Sequence, residues 1–359
     1  MASHGNGIAG VSAYEISMAR AISPVADVVA LGRLMSLLFR LKPDIVEFST
    51  PKAGLLGCMA AWICRVPIRI YFLRGLRVET VSGFKRRLLL WSERIAAACA
   101  HVVVANSRSL RERAIALGAV TEGKAVLLGE GSSNGVDVVR FSPGLSDVRE
   151  QYSILADKRV IGFVGRLTAD KGLPELLEAF VEILREEPEC YLLLVGWFDA
   201  AEDAVGRELR ARVEGHPRIV CTGYVDDAAP YYRAMDVMAL PSWREGFPNA
   251  VLEAAASGVP VVVTNCTGSC DAVMPEVTGL LVQPGDPRAI SAAVLKLLKD
   301  RQLCGEMGKA ARTWAVERFD QRRVLGMVVQ YYRELLDAQN EAPLPGGREE
   351  AVTDFSPSL

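Results

Sequence analysis

Short runs of β-branched and aliphatic residues alternate with longer helical patterns along almost the whole chain. Such alternation is typical of parallel sheets with helices on both faces. In the first half, the predicted strands are Val11–Ile16, Ile45–Phe48, Ile68–Phe72, His101–Ala105 and Ala125–Leu128. In the second half, they are Val160–Val164, Tyr191–Val195, Ile219–Thr222, Val237–Leu240, Val259–Val263 and Leu280–Val282. The 359 residues are enough for two such units, each with its own core.

The segment 141–158, FSPGLSDVREQYSILADK, supplies Pro and Gly and then a short helix ahead of a new strand. We therefore predict an N-terminal Rossmann-like domain over residues 1–145 and a C-terminal one over residues 146–320. A last helix, 321–339, is expected to pack back toward the N-terminal domain. Residues 340–359 are rich in Pro, Gly and acidic side chains and are predicted to be disordered.

Charge is divided unevenly along the chain. Residues 1–150 hold 19 Lys/Arg against 12 Asp/Glu, and the remainder holds 22 against 31. The basic first half suits an anionic partner such as a membrane surface or a phosphorylated acceptor, or is simply a solvated surface. Nucleic acid is disfavoured, because the basic residues are not interleaved with aromatics in a known reader pattern.

The eight cysteines mostly lie in apolar runs, and no pair has zinc spacing with a nearby His. Free buried thiols fit a reducing cytoplasm. The first ten residues lack the pattern of a signal peptide, and the longest apolar stretch, Ala53–Cys64, is too short to span a bilayer. We therefore expect a cytoplasmic protein with at most peripheral contact to the inner face of the membrane.

The first chemical motif is GFVGRLTADKG, residues 162–172. A buried strand ends at Gly165, and Arg166 follows at its tip. Lys171 and Gly172 are predicted to begin the next helix. Ligands of open parallel sheets bind at the carboxyl ends of the strands, where two cations and a helix N-terminus suit a diphosphate. Alternatively, both cations are surface residues at a strand-to-helix turn.

The second motif is PSWREGFPNAVLEAAASGVPVV, residues 241–262. Glu245 follows a strand, Pro248 stands at a natural first helical position, and Glu253 lies inside the helix. The two carboxylates therefore flank a helix N-terminus. One carboxylate can take the hydroxyls of a sugar and the other the ribose diol of a nucleotide sugar. Alternatively, Glu245 lies in solvent and Glu253 pairs with a Lys or Arg.

Together, the GRLxxxKG run and the E-x7-E motif resemble glycosyltransferase family 4, the group 1 glycosyltransferases of bacterial polysaccharide assembly. Further similarity lies in STPKAGLLG (49–57), RGLRVET (74–80), SNGVDVVRFSP (133–143), TGYVDD (222–227) and VTGLLVQPGD (277–286). The resemblance implies an α/β fold of the GT-B type, in which two doubly wound Rossmann-like domains face a cleft. It also implies a retaining hexosyltransferase.

By this resemblance, Arg166 and Lys171 neutralise the donor diphosphate and act in catalysis together with Glu245. Glu245 would bind the hydroxyls of the transferred sugar and Glu253 the ribose. The implied donor-binding residues are Gly165, Arg166, Lys171, Tyr224, Val225, Glu245, Gly246, Phe247, Pro248, Asn249 and Glu253. Tyr224 and Val225 lie where the family seats the base, and the backbone of residues 246–249 would line the sugar pocket.

The donor is expected to be a UDP-sugar. No Asp-x-Asp pair is present to hold a divalent ion, so we expect neither a metal nor another cofactor. Fixed cations would then stabilise the charge that develops on the leaving diphosphate. The resemblance favours front-face attack by the acceptor, assisted by the leaving phosphate, over a covalent sugar intermediate.

The acceptor side departs from the family. Where many relatives carry histidines, this chain has Glu47, Ser49 and Arg74. None of its own histidines, His4, His101 and His216, is expected to be catalytic. Lys52, Arg74 and Arg77 are the acceptor-side candidates, for a saccharide or a polyprenyl-diphosphate-linked acceptor.

The basic amphipathic run 74–94, RGLRVETVSGFKRRLLLWSER, would contact an anionic membrane, or it forms an ordinary helix packed on its own domain.

Relatives have about one more strand, a glycine-rich loop and a helix before the segment that matches Val11. The glycine cluster Gly5–Gly10 imitates such a loop, but no strand is predicted before it. We therefore expect the N-terminal domain to lack its first strand and helix, and the chain to be weakly stable or weakly active. The rival interpretation is a truncated, inactive relic or scaffold that still binds a nucleotide sugar. An epimerase or a phosphorylase shares the architecture, but the E-x7-E pattern fits a transferase better.

Overall fold

The computed structural model describes residues 2–4, 10–18, 23–198 and 207–341. Its strands are β1 (Ala2–His4), β2 (Ser12–Tyr14), β3 (Ile45–Ser49), β4 (Ile68–Leu73), β5 (Val102–Ala105), β6 (Ala125–Leu127), β7 (Val160–Val164), β8 (Tyr191–Val195), β9 (Ile219–Gly223), β10 (Val237–Leu240), β11 (Val261–Thr264) and β12 (Gly279–Val282). Its α-helices are α1 (Pro24–Leu41), α2 (Pro51–Ile63), α3 (Gly83–Cys99), α4 (Arg108–Ala116), α5 (Val148–Gln151), α6 (Leu173–Glu186), α7 (Arg207–Glu214), α8 (Ala229–Arg233), α9 (Asn249–Ala256), α10 (Pro287–Lys299), α11 (Arg301–Phe319) and α12 (Gln321–Glu341).

The first parallel sheet has the strand order β3-β4-β5-β6, which is also the order along the chain. These four strands were predicted from their apolar runs, and their positions are confirmed to within a few residues. Within the described ranges, β3 has β4 as its one neighbour and therefore lies at the edge of this sheet.

The prediction of a strand over Val11–Ile16 in a parallel sheet was wrong. Strand β2 instead pairs antiparallel with β1, with Ser3 opposite Ala13, in a separate two-stranded sheet. The link between them is only seven residues long, and a parallel pair needs a crossover of about a dozen residues or more. The expectation that no strand precedes the glycine cluster was also wrong, because β1 does. Residues 5–9 of that cluster lie outside the described residues.

The second sheet is parallel and has the order β12-β11-β10-β7-β8-β9. The chain runs outward from β7 through β8 to β9 and then returns to β10 on the other side of β7. The loops after β7 and β10 therefore leave in opposite directions, and the crevice between them is where an open α/β sheet binds its ligand. Strand β7 is buried on both faces, with Val160, Ile161 and Phe163 fully inaccessible.

Helix α12 packs against the first sheet, although it follows the elements of the second. Tyr331 and its neighbours on α12 contact the cluster around Ile70 and Val104, and the Tyr332 hydroxyl donates to Glu47. The helix ends at Glu341, two residues beyond the predicted end at Gln339. The rest of the segment predicted to be disordered, residues 342–359, lies outside the described residues.

Candidate active site between the two sheets

A pair of glycines shapes the end of strand β7. The backbone of Gly165 has a φ of 148°, and its N–H donates to the carbonyl of Val195 at 3.0 Å. At the end of the neighbouring strand, Gly196 has a φ of 152°, and a Cβ there would lie 1.8 Å from the Gly165 oxygen. Only glycines allow this approach. Arg166 follows directly and lines the cleft between the two sheets.

The loop after β7 turns sharply before the next helix. A 3-10 turn covers Ala169–Lys171, and Gly172 follows with a φ of 75°. A Cβ on Gly172 would lie 2.0 Å from the carbonyl oxygen of Pro241. This glycine therefore brings the loop after β7 against the loop after β10. Helix α6 begins at Leu173, so Lys171 lies in the turn before the helix and not in its first turn.

The two sequence motifs meet in the crevice. The Lys171 ammonium donates to Oε1 of Glu245 at 2.5 Å, and the Ser242 hydroxyl donates to the same oxygen at 2.7 Å. The side chains of Lys171 and Glu245 are 20% and 11% exposed, so neither is a free surface residue. The backbone N–H of Glu245 donates to Thr267 at 3.0 Å. One carboxylate oxygen is thus held by a cation and a hydroxyl.

A second ion pair joins the same two loops. The Arg244 guanidinium lies 3.3 Å from Oδ2 of Asp170, which also accepts from the Thr168 hydroxyl at 2.6 Å through its other oxygen. Burial acts to raise the pKa of the Asp170 carboxyl, but the hydrogen bond from Thr168 and the nearby cations outweigh it and lower this pKa. Sequence reasoning missed Ser242, Asp170 and Arg244. Each of them lies within three residues of Lys171 or Glu245, so their closeness in sequence to these two residues is the signal that could have found them.

The segment after Glu245 packs tightly against the N-terminal half. A Cβ on Gly246 would lie 2.1 Å from the carbonyl oxygen of Arg74, so the two loops are in close contact. The Phe247 ring is buried and packs against Phe319 with a centroid distance of 5.2 Å. Its side chain therefore belongs to the core, and only its backbone can line a sugar pocket.

Helix α9 begins one residue later than predicted. Pro248 is its N-cap, with a ψ of 105°, and Asn249 is its first residue, with an exposed side chain. Within the helix, Oε2 of Glu253 accepts from the Tyr232 hydroxyl at 2.7 Å. Burial raises the pKa of the Glu253 carboxyl, and the hydrogen bond from Tyr232 opposes this shift. The hydrogen-bond partner of Glu253 is thus a tyrosine and not the Lys or Arg of the alternative interpretation.

An exposed aromatic pair lies beyond the ends of strands β8 and β9. The rings of Trp197 and Tyr224 meet edge to face at a centroid distance of 5.5 Å and are 44% and 69% exposed. Val225, the other residue predicted near the base, is partly buried and packs against the core of the second sheet. Trp197 was missed by sequence reasoning. An accessible aromatic surface of this kind suits a flat heterocycle.

The acceptor-side candidates line one open cleft of about 870 Å³. Arg74 and Arg77 reach it from the loop after β4, and Lys52 reaches it from the start of α2. The Lys52 ammonium pairs with Asp27 at 2.7 Å, and an Arg74 nitrogen lies 4.0 Å from a Glu47 oxygen. The cleft also includes two residues of the C-terminal half, Arg166 and Arg244. Five cationic side chains and one aspartate therefore line it.

No metal site is found in the described part of the chain, where no three His, Cys, Asp or Glu side chains are placed to hold an ion. His101 lies at the amino end of β5, where its Nδ1 accepts from the Arg69 backbone and burial lowers its pKa to about 4. The His216 ring packs on Phe180. Neither of these histidines lines the cleft.

Two parallel α/β sheets whose strand ends meet at a cleft form the GT-B architecture. Residues 158–300 match the family model "Glycosyl transferases group 1", and residues 4–131 match "Glycosyl transferase 4-like domain". The chain belongs to the family 4 type of group 1 glycosyltransferases and is an enzyme of that class. The predicted family and GT-B fold are thus confirmed.

Relatives and solved structures agree with this assignment. The chain is 37% identical over 325 residues to the capsular polysaccharide biosynthesis glycosyltransferase CapM of Staphylococcus aureus, covering 90% of this chain and 85% of the relative. It is 29% identical over 310 residues to the Escherichia coli UDP-Gal:alpha-D-GlcNAc-diphosphoundecaprenol alpha-1,3-galactosyltransferase, covering 85% and 79%.

Among solved structures, Anabaena HepE in complex with UDP and glucose superposes with a TM-score of 0.75 at 22% identity, covering 87% of this chain and 83% of HepE. Sucrose-phosphate synthase from Thermosynechococcus elongatus superposes with a TM-score of 0.74 at 25% identity, covering 89% and 81%.

Proposed function

We propose that this glycosyltransferase moves a hexose from a UDP-sugar, with retention of configuration and without a metal ion, to a saccharide or polyprenyl-diphosphate-linked acceptor. The pathway would be the synthesis of a bacterial surface polysaccharide. The observation that carries the proposal is the contact between Lys171 and Glu245 in the crevice between β7 and β10. It places a cation suited to the donor diphosphate beside a carboxylate suited to sugar hydroxyls, next to the start of α9.

The positions of these groups support the proposed donor roles. Arg166 and Lys171 lie in the loop that follows β7, beside the crevice between β7 and β10 where a leaving diphosphate would sit. Glu253 is held by Tyr232 one turn into α9, which suits a carboxylate that accepts from the ribose diol. Tyr224 and Trp197 offer an exposed aromatic surface for the base. A UDP-sugar is favoured because HepE was solved with UDP and a galactosyltransferase relative is named for UDP-Gal.

The environment of Glu245 supports front-face attack. One of its oxygens already accepts from Lys171 and Ser242, and such bonds stabilise the carboxylate and weaken it as a nucleophile. This carboxylate is therefore better suited to holding sugar hydroxyls than to forming a covalent intermediate. The leaving phosphate would take the proton of the acceptor hydroxyl, and Arg166 and Lys171 would stabilise its charge.

The surface of α3 supports a peripheral membrane location at the cytoplasmic face. Phe84, Leu88 and Trp91, spaced by four and three residues, form a stripe on this helix and are 80%, 41% and 61% exposed. Lys85 and Arg87 beside them are also exposed. Apolar and basic side chains on one exposed helix surface suit the headgroup layer of an anionic membrane. None of the described helices is both long and apolar enough to cross a bilayer.

The proposal is tested by measuring nucleotide release from a panel of UDP-, GDP- and ADP-sugars, with N-acetylglucosaminyl-diphosphoundecaprenol in detergent as the acceptor. We expect release from a UDP-sugar that depends on the acceptor, is unchanged by EDTA, and gives a product with the anomeric configuration of the donor by NMR. Loss of activity with EDTA would contradict the metal-free part of the proposal. A product of inverted configuration would contradict the retaining part. Nucleotide binding without release from any donor would favour the inactive relic.

A further inference from the structure

We infer that Arg244, a residue of the donor half, completes a diphosphate site for the acceptor together with Arg74 and Arg77 of the N-terminal half. This inference rests on the proposed function, because it takes the basic cleft as the acceptor side. It goes beyond it by assigning an acceptor-binding residue to the loop that also carries Glu245. The ligand class is a polyisoprenyl diphosphate.

Arg244 is held at the boundary between the two halves. Its Nε donates to the Thr80 hydroxyl at 3.1 Å, and one terminal nitrogen pairs with Asp170 at 3.3 Å. Thr80 ends the 3-10 turn that begins at Arg77, so the guanidinium lies beside the loop that carries the N-terminal arginines. A guanidinium has five N–H donors, so these two contacts leave others for a ligand. The side chain is 21% exposed and lines the cleft.

Two ion pairs cross between the loops after β7 and β10. The consecutive residues Asp170 and Lys171 pair with the consecutive residues Arg244 and Glu245, and the backbone N–H of Trp243 donates to the Asp170 carbonyl at 3.0 Å. Lys171 and Glu245 belong to the proposed donor pocket, whereas Arg244 lines the acceptor-side cleft, which the donor residue Arg166 also reaches. An anion bound by Arg244 would therefore lie close to the neighbouring residue, Glu245, whose carboxylate is proposed to hold the transferred sugar.

The adjacency of Arg244 and Glu245 fits a lipid-linked sugar acceptor. In such a molecule the diphosphate is attached to the sugar whose hydroxyl attacks the donor, so the diphosphate must bind close to the reaction centre but outside the donor pocket. Arg77 lines the same cleft from the other half, and its side chain makes no hydrogen bond or ion pair with any residue that the structure describes. Opposed guanidinium groups from two domains can bind both phosphates of one ligand.

Part of the cleft wall is apolar. Leu55 and Leu56 of α2 and Leu88 and Leu89 of α3 line the same cleft as the arginines. Leu88 also belongs to the exposed stripe of α3 that includes Trp91, so the apolar wall continues out of the cleft onto the protein surface. A cleft with a basic end and an apolar wall that opens outward matches a diphosphate attached to a hydrocarbon chain better than free pyrophosphate.

The inference is tested by calorimetric titration of farnesyl diphosphate, inorganic pyrophosphate and farnesol, with and without saturating UDP. The variants are Arg244→Gln, Arg244→Lys and Arg77→Gln, and the matched control is Arg288→Gln, whose arginine is 90% exposed in the same half as Arg244. We expect Arg244→Gln and Arg77→Gln to weaken farnesyl diphosphate binding about tenfold or more, and Arg244→Lys to retain part of the affinity. The affinities of the variants for farnesol and for UDP should stay within about twofold of those of the unchanged chain. A general loss of structure would lower these affinities as well.

Unchanged farnesyl diphosphate binding in Arg244→Gln would overturn the assignment of this residue. Pyrophosphate binding as tight as that of farnesyl diphosphate would overturn the lipid class, because the apolar wall would then contribute nothing. Failure of UDP to bind the unchanged chain would contradict the proposed function instead. The titrations without UDP would still decide the role of Arg244 in that case.

Discussion

The ammonium of Lys171 lies 2.5 Å from Oε1 of Glu245, although the two residues are 74 positions apart in the chain. The two opposite charges form an ion pair at the point where the loops after β7 and β10 meet. In the proposed function, a donor contacts both groups at once, the diphosphate through Lys171 and the sugar hydroxyls through Glu245. Because the ion pair fixes the positions of both side chains, this proposal requires little reorganisation when a donor binds.

Replacing Lys171 with Met should lower kcat about 10²-fold or more, because a fixed cation at the leaving diphosphate is lost. The measurement is the initial rate of nucleotide release at saturating donor. Lys309→Met, which changes an exposed lysine of α11, is the matched control and should leave kcat unchanged. A kcat for Lys171→Met equal to that of the control would remove this lysine from the catalytic set.

Replacing Gly246 with Ala should lower kcat roughly 10²-fold, because the new Cβ would lie 2.1 Å from the Arg74 carbonyl oxygen and force the two loops apart. Nothing lies within 4 Å of a Cβ added to Gly305 in α11, so Gly305→Ala is the control and should keep full activity. It should also unfold at a slightly higher temperature, because alanine favours a helix. Equal activity of the two variants would mean that the loop contact is not needed for turnover.

Stability should depend on pH through Glu93, which is buried on α3 and accepts from the Tyr71 hydroxyl at 2.7 Å. Burial raises the pKa of this carboxyl to about 7, above its value of about 4.3 in the unfolded chain. The folded state thus holds the proton more tightly, and stability falls as pH rises from about 4 through about 7. Glu93→Gln should remove this loss.

The gain in unfolding free energy from Glu93→Gln should be on the order of 2 kcal/mol larger at pH 8 than at pH 5. Urea unfolding at both pH values measures this difference. Glu112→Gln, at an exposed position of α4, should show the same small effect at both pH values. A pH-independent effect of Glu93→Gln would show that this carboxyl is ionised in the folded protein at pH 5.

Membrane contact should depend on the charges of α3. Each basic residue near an anionic surface contributes about 1 kcal/mol, so reversing Lys85, Arg86 and Arg87 to Glu should abolish co-flotation with phosphatidylglycerol vesicles. The matched control reverses three exposed arginines of α7, Arg207, Arg210 and Arg212. It should float like the unchanged chain. Equal flotation of the two triple variants would contradict binding through α3.

The second sheet could be predicted from the sequence because its strands are short apolar runs, most of which, such as Val160–Val164, are buried. The two donor motifs could be found because each is continuous in sequence. Strand β1 was missed and β2 was placed in the wrong sheet, since a three-residue strand has too few residues to show its partner or direction. Contacts between distant residues, such as Tyr232 with Glu253 and Arg244 with Asp170, leave no local pattern. They depend on how the loops at the strand ends pack together.

The most direct test of the account is titration of UDP, GDP and ADP into the chain and into its Glu253→Gln variant, followed by calorimetry. We predict that UDP binds the unchanged chain selectively. We also predict that Glu253→Gln weakens this binding about tenfold or more, because a charged acceptor for the ribose diol is lost, while the melting temperature stays within a few degrees. Binding of UDP with the same affinity in both proteins, or binding of none of the three nucleotides, would contradict the donor site assigned between β7 and β10.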